Sequence, residues 1–194
     1  MVRVLIDSQR IQKRVRDLGL AISRDYAGQE LMVVTILKGA AIFAADLVRS
    51  ITVPLSMEFM EVHSYDGTES TAQVTMVKDL QAPVADQNLL LVEDIVDTGL
   101  TLSHLAERLE ARNPRSLRIC ALLSKPDRRV IPVSIDYLGF SIPDEFVVGY
   151  GLDYRGHYRN LPDIQVWENA GQEGFGGTPP ASGKTTVITD IYNV

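Results

Sequence analysis

Three carboxylates lie close together in segment 89–101, "LLLVEDIVDTGLT", where an apolar run ends. Glu93 and Asp94 are adjacent, and Asp97 follows after two further residues. A solvated strand end with a helix-capping aspartate would account for each of them singly. Together they would repel one another, because a like charge nearby disfavours the ionised form unless a positive charge is also close. A divalent cation or a ligand with several hydroxyl groups would satisfy all three.

The residues that follow Asp97 offer the opposite chemistry. Thr98 and Gly99 form a small polar turn, and Thr101 stands near the predicted start of a helix. The free N–H groups and the dipole at a helix N-terminus attract an anion, and the two threonine hydroxyls add donors. One short segment therefore supplies acceptors for sugar hydroxyls and donors for a phosphate. A ribose 5-phosphate would match both halves.

The surrounding sequence predicts strands that alternate with helices. A helical period over Ile11, Val15, Leu18 and Ile22 ends near Gly28, and the run Leu31–Leu37 is typical of a strand buried on both faces. Further strands are predicted at 54–62, 74–77, 89–92, 116–124, 133–142 and 145–152, and further helices at 40–51 and 101–112. This order predicts an α/β fold with a mainly parallel twisted sheet flanked by helices.

Three polar positions fall at the ends of predicted strands: Lys38-Gly39, Glu93-Asp94 and Lys125. In parallel α/β sheets, ligands bind beyond the carboxyl ends of the strands. We therefore expect these distant parts of the chain to meet at one rim of the sheet.

Composition narrows the class of protein. The 194 residues carry a net charge of −6, which disfavours nonspecific nucleic-acid binding because that binding depends on Lys and Arg. No apolar run approaches the roughly 18 residues of a membrane span, and "MVRVLIDSQR" has no signal-peptide core. We expect a cytoplasmic protein without membrane or nucleic-acid partners. The single cysteine, Cys120, lies in an apolar run and is expected to be a core residue.

The composition changes after Trp167. Residues 169–194 are rich in Gly, Pro, Ser and Thr, so the sequence predicts a domain at 1–168 and a flexible extension at 169–194. The tail contains "SGKTT", but Thr178 stands where a phosphate-binding loop needs glycine, and no strand precedes it. We interpret that match as chance.

Several segments together resemble the type I phosphoribosyltransferases. "LLLVEDIVDTGLT" is similar to their phosphoribosyl-pyrophosphate signature, and "LKGAAIFAADL" to the pyrophosphate loop of the hypoxanthine-guanine branch. "HSYDGTES" resembles the flexible loop, while "LLSKPDRR" and "IPDEFVVGYGLDYRGHYRNLPDI" resemble the purine-binding region. The resemblance covers roughly residues 2–167 in family order. It implies the type I phosphoribosyltransferase fold, with a small hood formed by N- and C-terminal segments.

The resemblance implies how phosphoribosyl pyrophosphate is held. Glu93 and Asp94 would bind the ribose hydroxyls, directly or through Mg²⁺, and Asp153 would ligate a second Mg²⁺. The 5-phosphate would lie in a turn made of Asp97, Thr98, Gly99, Leu100 and Thr101.

Pyrophosphate contacts are implied at two places, by Lys38, Gly39 and Arg159. The resemblance also implies that the Leu37–Lys38 peptide bond is cis or able to become so. Ser64 and Tyr65 belong to a loop, 64–73, that would close over the reaction and exclude water.

Purine contacts are implied at four residues. Asp97 would be catalytic and would manage a proton at N7 of the base. Lys125 would donate to the 6-oxo group, Phe146 would stack on the ring, and Val147 would offer backbone atoms.

The function implied by the resemblance is purine salvage: Mg²⁺-dependent transfer of 5-phosphoribosyl from phosphoribosyl pyrophosphate to hypoxanthine, and to guanine, giving IMP or GMP and pyrophosphate. The family further implies a homodimer or homotetramer. Two alternatives stay open, a phosphoribosyltransferase for another base such as xanthine, and a regulator that kept the fold and binds RNA or DNA. The second would need a basic face. The preference between hypoxanthine and guanine is not decided by the sequence.

Overall fold

The computed structural model describes residues 2–64 and 74–167. These residues form nine strands, three α-helices and one 3₁₀ turn. In chain order the elements are β1 Val2–Ile6, α1 Ser8–Asp25, β2 Leu31–Leu37, α2 Ala41–Val48, β3 Leu55–Ser64, β4 Val74–Lys78, β5 Asn88–Val96, α3 Leu100–Glu110, β6 Ser116–Ser124, the 3₁₀ turn Pro126–Arg128, β7 Tyr137–Ser141, β8 Val147–Val148 and β9 Ile164–Trp167.

Six strands form the main sheet, in the order β4-β3-β2-β5-β6-β7. Neighbouring strands are parallel except for the edge strand β4, which runs antiparallel to β3. The two central strands pair in register, with Val33 opposite Leu90. The prediction of a mainly parallel sheet is confirmed.

Helices cover both faces of this sheet, because successive side chains of a buried strand point to opposite sides. Val33 of β2 belongs to the core cluster that contains Ile11 of α1 and Phe43 of α2. The next residue, Val34, belongs to the cluster that contains Leu105 of α3. β2 therefore needs apolar residues on both faces, as its sequence indicated, and only Thr35 interrupts its apolar run.

A second, three-stranded sheet has the order β1-β9-β8 and joins both ends of the described chain. Val2 lies opposite Trp167, and Val147 opposite Val166. This small sheet is tied to α1, because the Ser8 N–H donates to Asp163 Oδ1 over 2.7 Å. It is the hood that the resemblance implied, although β1 and β9 were not predicted as strands.

Some predicted boundaries were wrong. β5 extends to Val96, so Glu93 and Asp94 lie within the strand and not after it. α1 ends at Asp25, ahead of Gly28, which adopts a positive φ of 75°. The predicted strands 133–142 and 145–152 are much shorter in the structure. The predicted extension 169–194 lies outside the described residues. No helix among the described residues is long and apolar enough to cross a membrane.

Candidate active site

A cavity of about 330 Å³ opens at the carboxyl ends of β2 and β5. Most of the predicted site residues line it: Lys38, Gly39, Glu93, Asp94, Asp97, Thr98, Gly99, Thr101, Asp153 and Arg159. The predicted meeting of strand ends is confirmed for Lys38-Gly39 and Glu93-Asp94, whereas Lys125, which follows β6, does not line the cavity.

Two adjacent carboxylates stand in the wall of the cavity. Asp94 is buried, and its Oδ1 accepts a hydrogen bond from the Ile95 N–H over 2.9 Å. Glu93 Oε2 is buried and has no hydrogen-bond partner among the described residues. Burial, followed by the charge of Asp94, holds the pKa of Glu93 well above its ordinary value. A cation or a donor hydroxyl is therefore the natural complement of this pair.

Gly39 lies directly against the acidic pair. A Cβ at Gly39 would be 1.6 Å from Asp94 Oδ2, so only glycine fits between the end of β2 and that carboxylate. On the other side, a Cβ at Gly151 would be 2.2 Å from the Gly39 carbonyl oxygen. The Leu37–Lys38 peptide bond is cis, as predicted. The Lys38 side chain is 68% exposed, and its Nζ lies 3.8 Å from Glu61 Oε1.

The turn after β5 is built for close approach. Gly99 has a φ of 87° and precedes α3, and a Cβ there would be 2.5 Å from the Ile131 carbonyl oxygen. The Thr98 carbonyl accepts from the N–H groups of Val130 and Ile131, over 2.9 and 3.1 Å. The segment after the 3₁₀ turn therefore fixes the turn. The turn leads into the N-terminus of α3, and a helix N-terminus is suited to bind an anion.

Arg129 supports this turn and was missed from the sequence. Its Nη2 donates to Ser124 Oγ over 2.7 Å and to the Val96 carbonyl over 3.4 Å. Its Nη1 is buried without a hydrogen-bond partner among the described residues. The signal that could have found it is the pair of arginines shortly after the strand-ending Lys125.

Asp153 and Arg159 form an ion pair of 2.7 Å at the hood side of the cavity. Asp153 Oδ2 also accepts from the Gly156 N–H over 2.6 Å, and Arg159 Nη1 donates to the Gly151 carbonyl over 2.5 Å. Both oxygens of Asp153 are thus engaged.

The donor set fits a magnesium ion held partly by substrate. Within the described residues, no three His, Cys, Asp or Glu side chains gather into a metal cage. Mg²⁺ usually takes only one or two carboxylates, and its other ligands are water and substrate phosphates. The pair Glu93 and Asp94, with its orphan buried oxygen, meets that requirement.

The purine-region residues lie beside the cavity and not in its wall. Lys125 is buried, and its Nζ lies 3.4 Å from Asp144 Oδ1. Phe146 is 42% exposed although aromatic, and its ring meets Tyr154 edge-on at 5.8 Å between centroids. Val147 is buried in β8. A partly exposed aromatic ring is a suitable platform for a flat heterocycle, and the buried ammonium of Lys125 is a suitable donor to a carbonyl oxygen.

Three other residues were predicted to belong to the site. Leu100 is the first residue of α3, and its N–H donates to Thr98 Oγ1 over 3.4 Å. Ser64 ends β3. Tyr65 lies outside the described residues.

Comparison with known proteins places these features in a family. Residues 3–155 match the phosphoribosyl transferase domain family. The hypoxanthine-guanine phosphoribosyltransferase of Mycobacterium tuberculosis strain H37Rv is 50% identical over 168 residues, covering 83% of each chain. That of Staphylococcus aureus strain N315 is 48% identical over 162 residues, covering 83% of this chain and 90% of the relative. A crystal structure of a hypoxanthine-guanine phosphoribosyltransferase from Bacillus anthracis has a TM-score of 0.82 and 42% identity, and the match covers 84% of this chain and 97% of that one.

Proposed function

The chain belongs to the phosphoribosyl transferase domain family, and on that basis we propose that it is a hypoxanthine-guanine phosphoribosyltransferase of purine salvage. The enzyme transfers the 5-phosphoribosyl group from phosphoribosyl pyrophosphate to hypoxanthine or guanine. The products are IMP or GMP and pyrophosphate.

One observation carries this proposal. A single cavity lines up an acidic pair, a glycine cradle and an anion-binding turn. Phosphoribosyl pyrophosphate carries the three matching groups: the ribose hydroxyls, the pyrophosphate on C1 and the phosphate on C5. The acidic pair, Glu93 and Asp94, receives the hydroxyls, while Lys38, Gly39 and Arg159 receive the pyrophosphate. The 5-phosphate binds at the turn that begins α3.

The residues of the cavity favour the transition state electrostatically. As the bond to pyrophosphate breaks, positive charge develops on the ribose, and the carboxylates of Glu93 and Asp94 stabilise it. Glu93 and Asp94 would also hold Mg²⁺, which would supply charge stabilisation to the departing pyrophosphate. Asp97 accepts a proton at N7 of the purine. The loop that contains Ser64 and Tyr65 excludes water.

Lys125 selects 6-oxopurines, because an ammonium donates hydrogen bonds and accepts none. It meets the carbonyl oxygen of hypoxanthine but not the amino group of adenine. Phe146 stacks on the ring, and the backbone of Val147 reads its edge.

We further propose that residues 1–168 are the catalytic unit and 169–194 an extension outside it. The net charge of −6 supports small-molecule substrates over nucleic acid. The proposed setting is the cytoplasm, and the proposed assembly a homodimer or homotetramer. Sedimentation velocity of the purified protein tests the assembly, since a lone 21.5 kDa species would contradict it.

Steady-state rates with hypoxanthine, guanine, xanthine and adenine, each with phosphoribosyl pyrophosphate and Mg²⁺, test the activity. We expect turnover with the first two bases, and with adenine a kcat/KM about 10⁴- to 10⁵-fold lower than with hypoxanthine. A clear preference for xanthine would support the rival phosphoribosyltransferase. Absence of turnover with all four bases, together with tight RNA binding on a filter, would support a regulator instead.

A further inference from the structure

Arg128 connects two of the proposed purine-contact residues. Its Nε donates to Asp97 Oδ1 over 2.9 Å, and its Nη1 lies 3.5 Å from Asp144 Oδ2. Asp144 Oδ1 in turn lies 3.4 Å from Lys125 Nζ. The four side chains thus form a line of alternating charge: Asp97, Arg128, Asp144 and Lys125.

This inference rests on the proposed function, which requires Asp97 and Lys125 to contact neighbouring atoms of the same purine. The N7 atom and the 6-oxo group lie side by side on one edge of a purine. Asp97 and Lys125 therefore have to present their terminal atoms to neighbouring positions. Their backbones are already adjacent, because the Lys125 N–H donates to the Val96 carbonyl over 3.0 Å. The lysine ammonium, however, sits on a flexible four-carbon stem, so the backbone alone does not fix it.

We propose that Arg128 is a positioning residue that sets Asp97 and, through Asp144, Lys125 in register with the N7 and 6-oxo edge of the purine. Arg128 engages one oxygen of Asp97, Oδ1, and thereby orients the carboxylate so that Oδ2 meets the base. Asp144 shares its two oxygens between Arg128 and Lys125 and holds the ammonium at a set distance from that carboxylate.

The four linked side chains orient one another and contribute little to the stability of the fold. The Arg128 side chain is 46% exposed and that of Asp144 48% exposed. Ion pairs of this exposure add little to stability, since water competes with them. A purine stacked on Phe146 would exclude that water, and the same charges would then interact more strongly. The charges of Asp97 and Asp144 raise the pKa of Arg128, which keeps it cationic.

Arg128→Gln and Asp144→Asn test the proposal by removing each link separately. Both variants should lower kcat/KM for hypoxanthine by about tenfold to a hundredfold, which is the scale of a misplaced reacting group. The ratio of kcat/KM for hypoxanthine to that for adenine should fall with it, while KM for phosphoribosyl pyrophosphate changes less than twofold. Arg128→Lys keeps the charge and should recover part of the loss. The double variant should have a kcat/KM no lower than that of the more impaired single variant, because both residues act through the same series of ion pairs.

Arg108→Gln is the matched control. Arg108 is 45% exposed and pairs with Asp79 away from the cavity, so its loss should leave the base ratio unchanged. The melting temperature of each variant shows whether a loss of activity comes from misfolding or from misplaced side chains in a folded protein. An unchanged ratio in a folded Arg128→Gln protein, or equal losses for purine and phosphoribosyl pyrophosphate, would overturn the positioning role. A parent enzyme inactive with every purine would instead overturn the proposed function, and this inference with it.

Discussion

Replacement of Gly39 by alanine should impair phosphoribosyl-pyrophosphate use far more than it impairs folding. The added Cβ would stand 1.6 Å from Asp94 Oδ2 and 2.5 Å from Asp94 Cγ, whereas real Cβ contacts essentially never fall below 3.0 Å. The Asp94 carboxylate must therefore move by more than about 1 Å, a displacement that can cost about a hundredfold in rate. The overpacking itself should cost about 1–3 kcal/mol of stability.

Gly19→Ala is the control for that steric cost. A Cβ at Gly19 would be 2.5 Å from Ser50 Cβ, in the contact of α1 with the end of α2 and away from the cavity. Initial rates at varied phosphoribosyl pyrophosphate, with melting temperatures, should show both variants destabilised but only Gly39→Ala losing kcat/KM, by about a hundredfold. If Gly39→Ala stays within twofold of the parent, or if Gly19→Ala loses as much activity, the contact between Gly39 and Asp94 does not organise the site.

Three further outcomes are expected. Asp97→Asn should lower kcat by about 10²- to 10⁴-fold, because the amide cannot take a proton from the base. KM for phosphoribosyl pyrophosphate should change little. A steep rise in that KM with kcat intact would mean that Asp97 only binds phosphate. Lys125→Met should raise KM for hypoxanthine and lower the ratio of kcat/KM for hypoxanthine to that for adenine. Such a ratio can reach about 10⁴- to 10⁵-fold where a site is built around one hydrogen bond. An unaltered ratio would mean that Lys125 does not contact the purine. Burial opposes ionisation of Asp79, but hydrogen bonds from Arg108, the Leu80 N–H and Arg112 outweigh it and lower the Asp79 pKa below 3.8. The stability that this shift contributes is present above pH 3.8 and is lost as the pH falls further. Asp79→Asn should therefore lower the free energy of unfolding by about 1–2 kcal/mol at pH 7 and by progressively less below pH 3.8. A difference in denaturant unfolding that does not depend on pH would contradict this.

The central part of the main sheet was predictable because β2, β5 and most of β6 are buried on both faces. Such strands need continuous apolar runs, and Leu31–Leu37 was predicted with its observed bounds. The meeting of Lys38-Gly39 with Glu93-Asp94 followed from their positions near strand ends, and the structure confirms it, although Lys125 does not line the same cavity.

The hood was harder to predict strand by strand. β8 has only two residues and β9 four, so neither shows a usable alternation of apolar and polar residues. Their pairing with β1 depends on contacts between opposite ends of the described chain, which local sequence does not encode. The hood itself was expected only through the family resemblance.

Three charged residues near the purine region were missed for a related reason. Arg128, Arg129 and Asp144 look like ordinary surface charges in sequence, and their roles depend on partners that lie elsewhere in the chain. Arg129 contacts Val96 and Ser124 on two strands. Only the folded sheet brings these partners together.

The most direct test of the central claim is a ³¹P NMR time course of the purified protein with phosphoribosyl pyrophosphate, hypoxanthine and Mg²⁺. The account predicts that pyrophosphate and a nucleoside 5-monophosphate appear one for one as the substrate disappears. Without hypoxanthine, the phosphoribosyl pyrophosphate signals should persist. Base-independent decay to ribose 5-phosphate, or no reaction with hypoxanthine or guanine, would contradict the claim that this cavity transfers phosphoribosyl groups to 6-oxopurines.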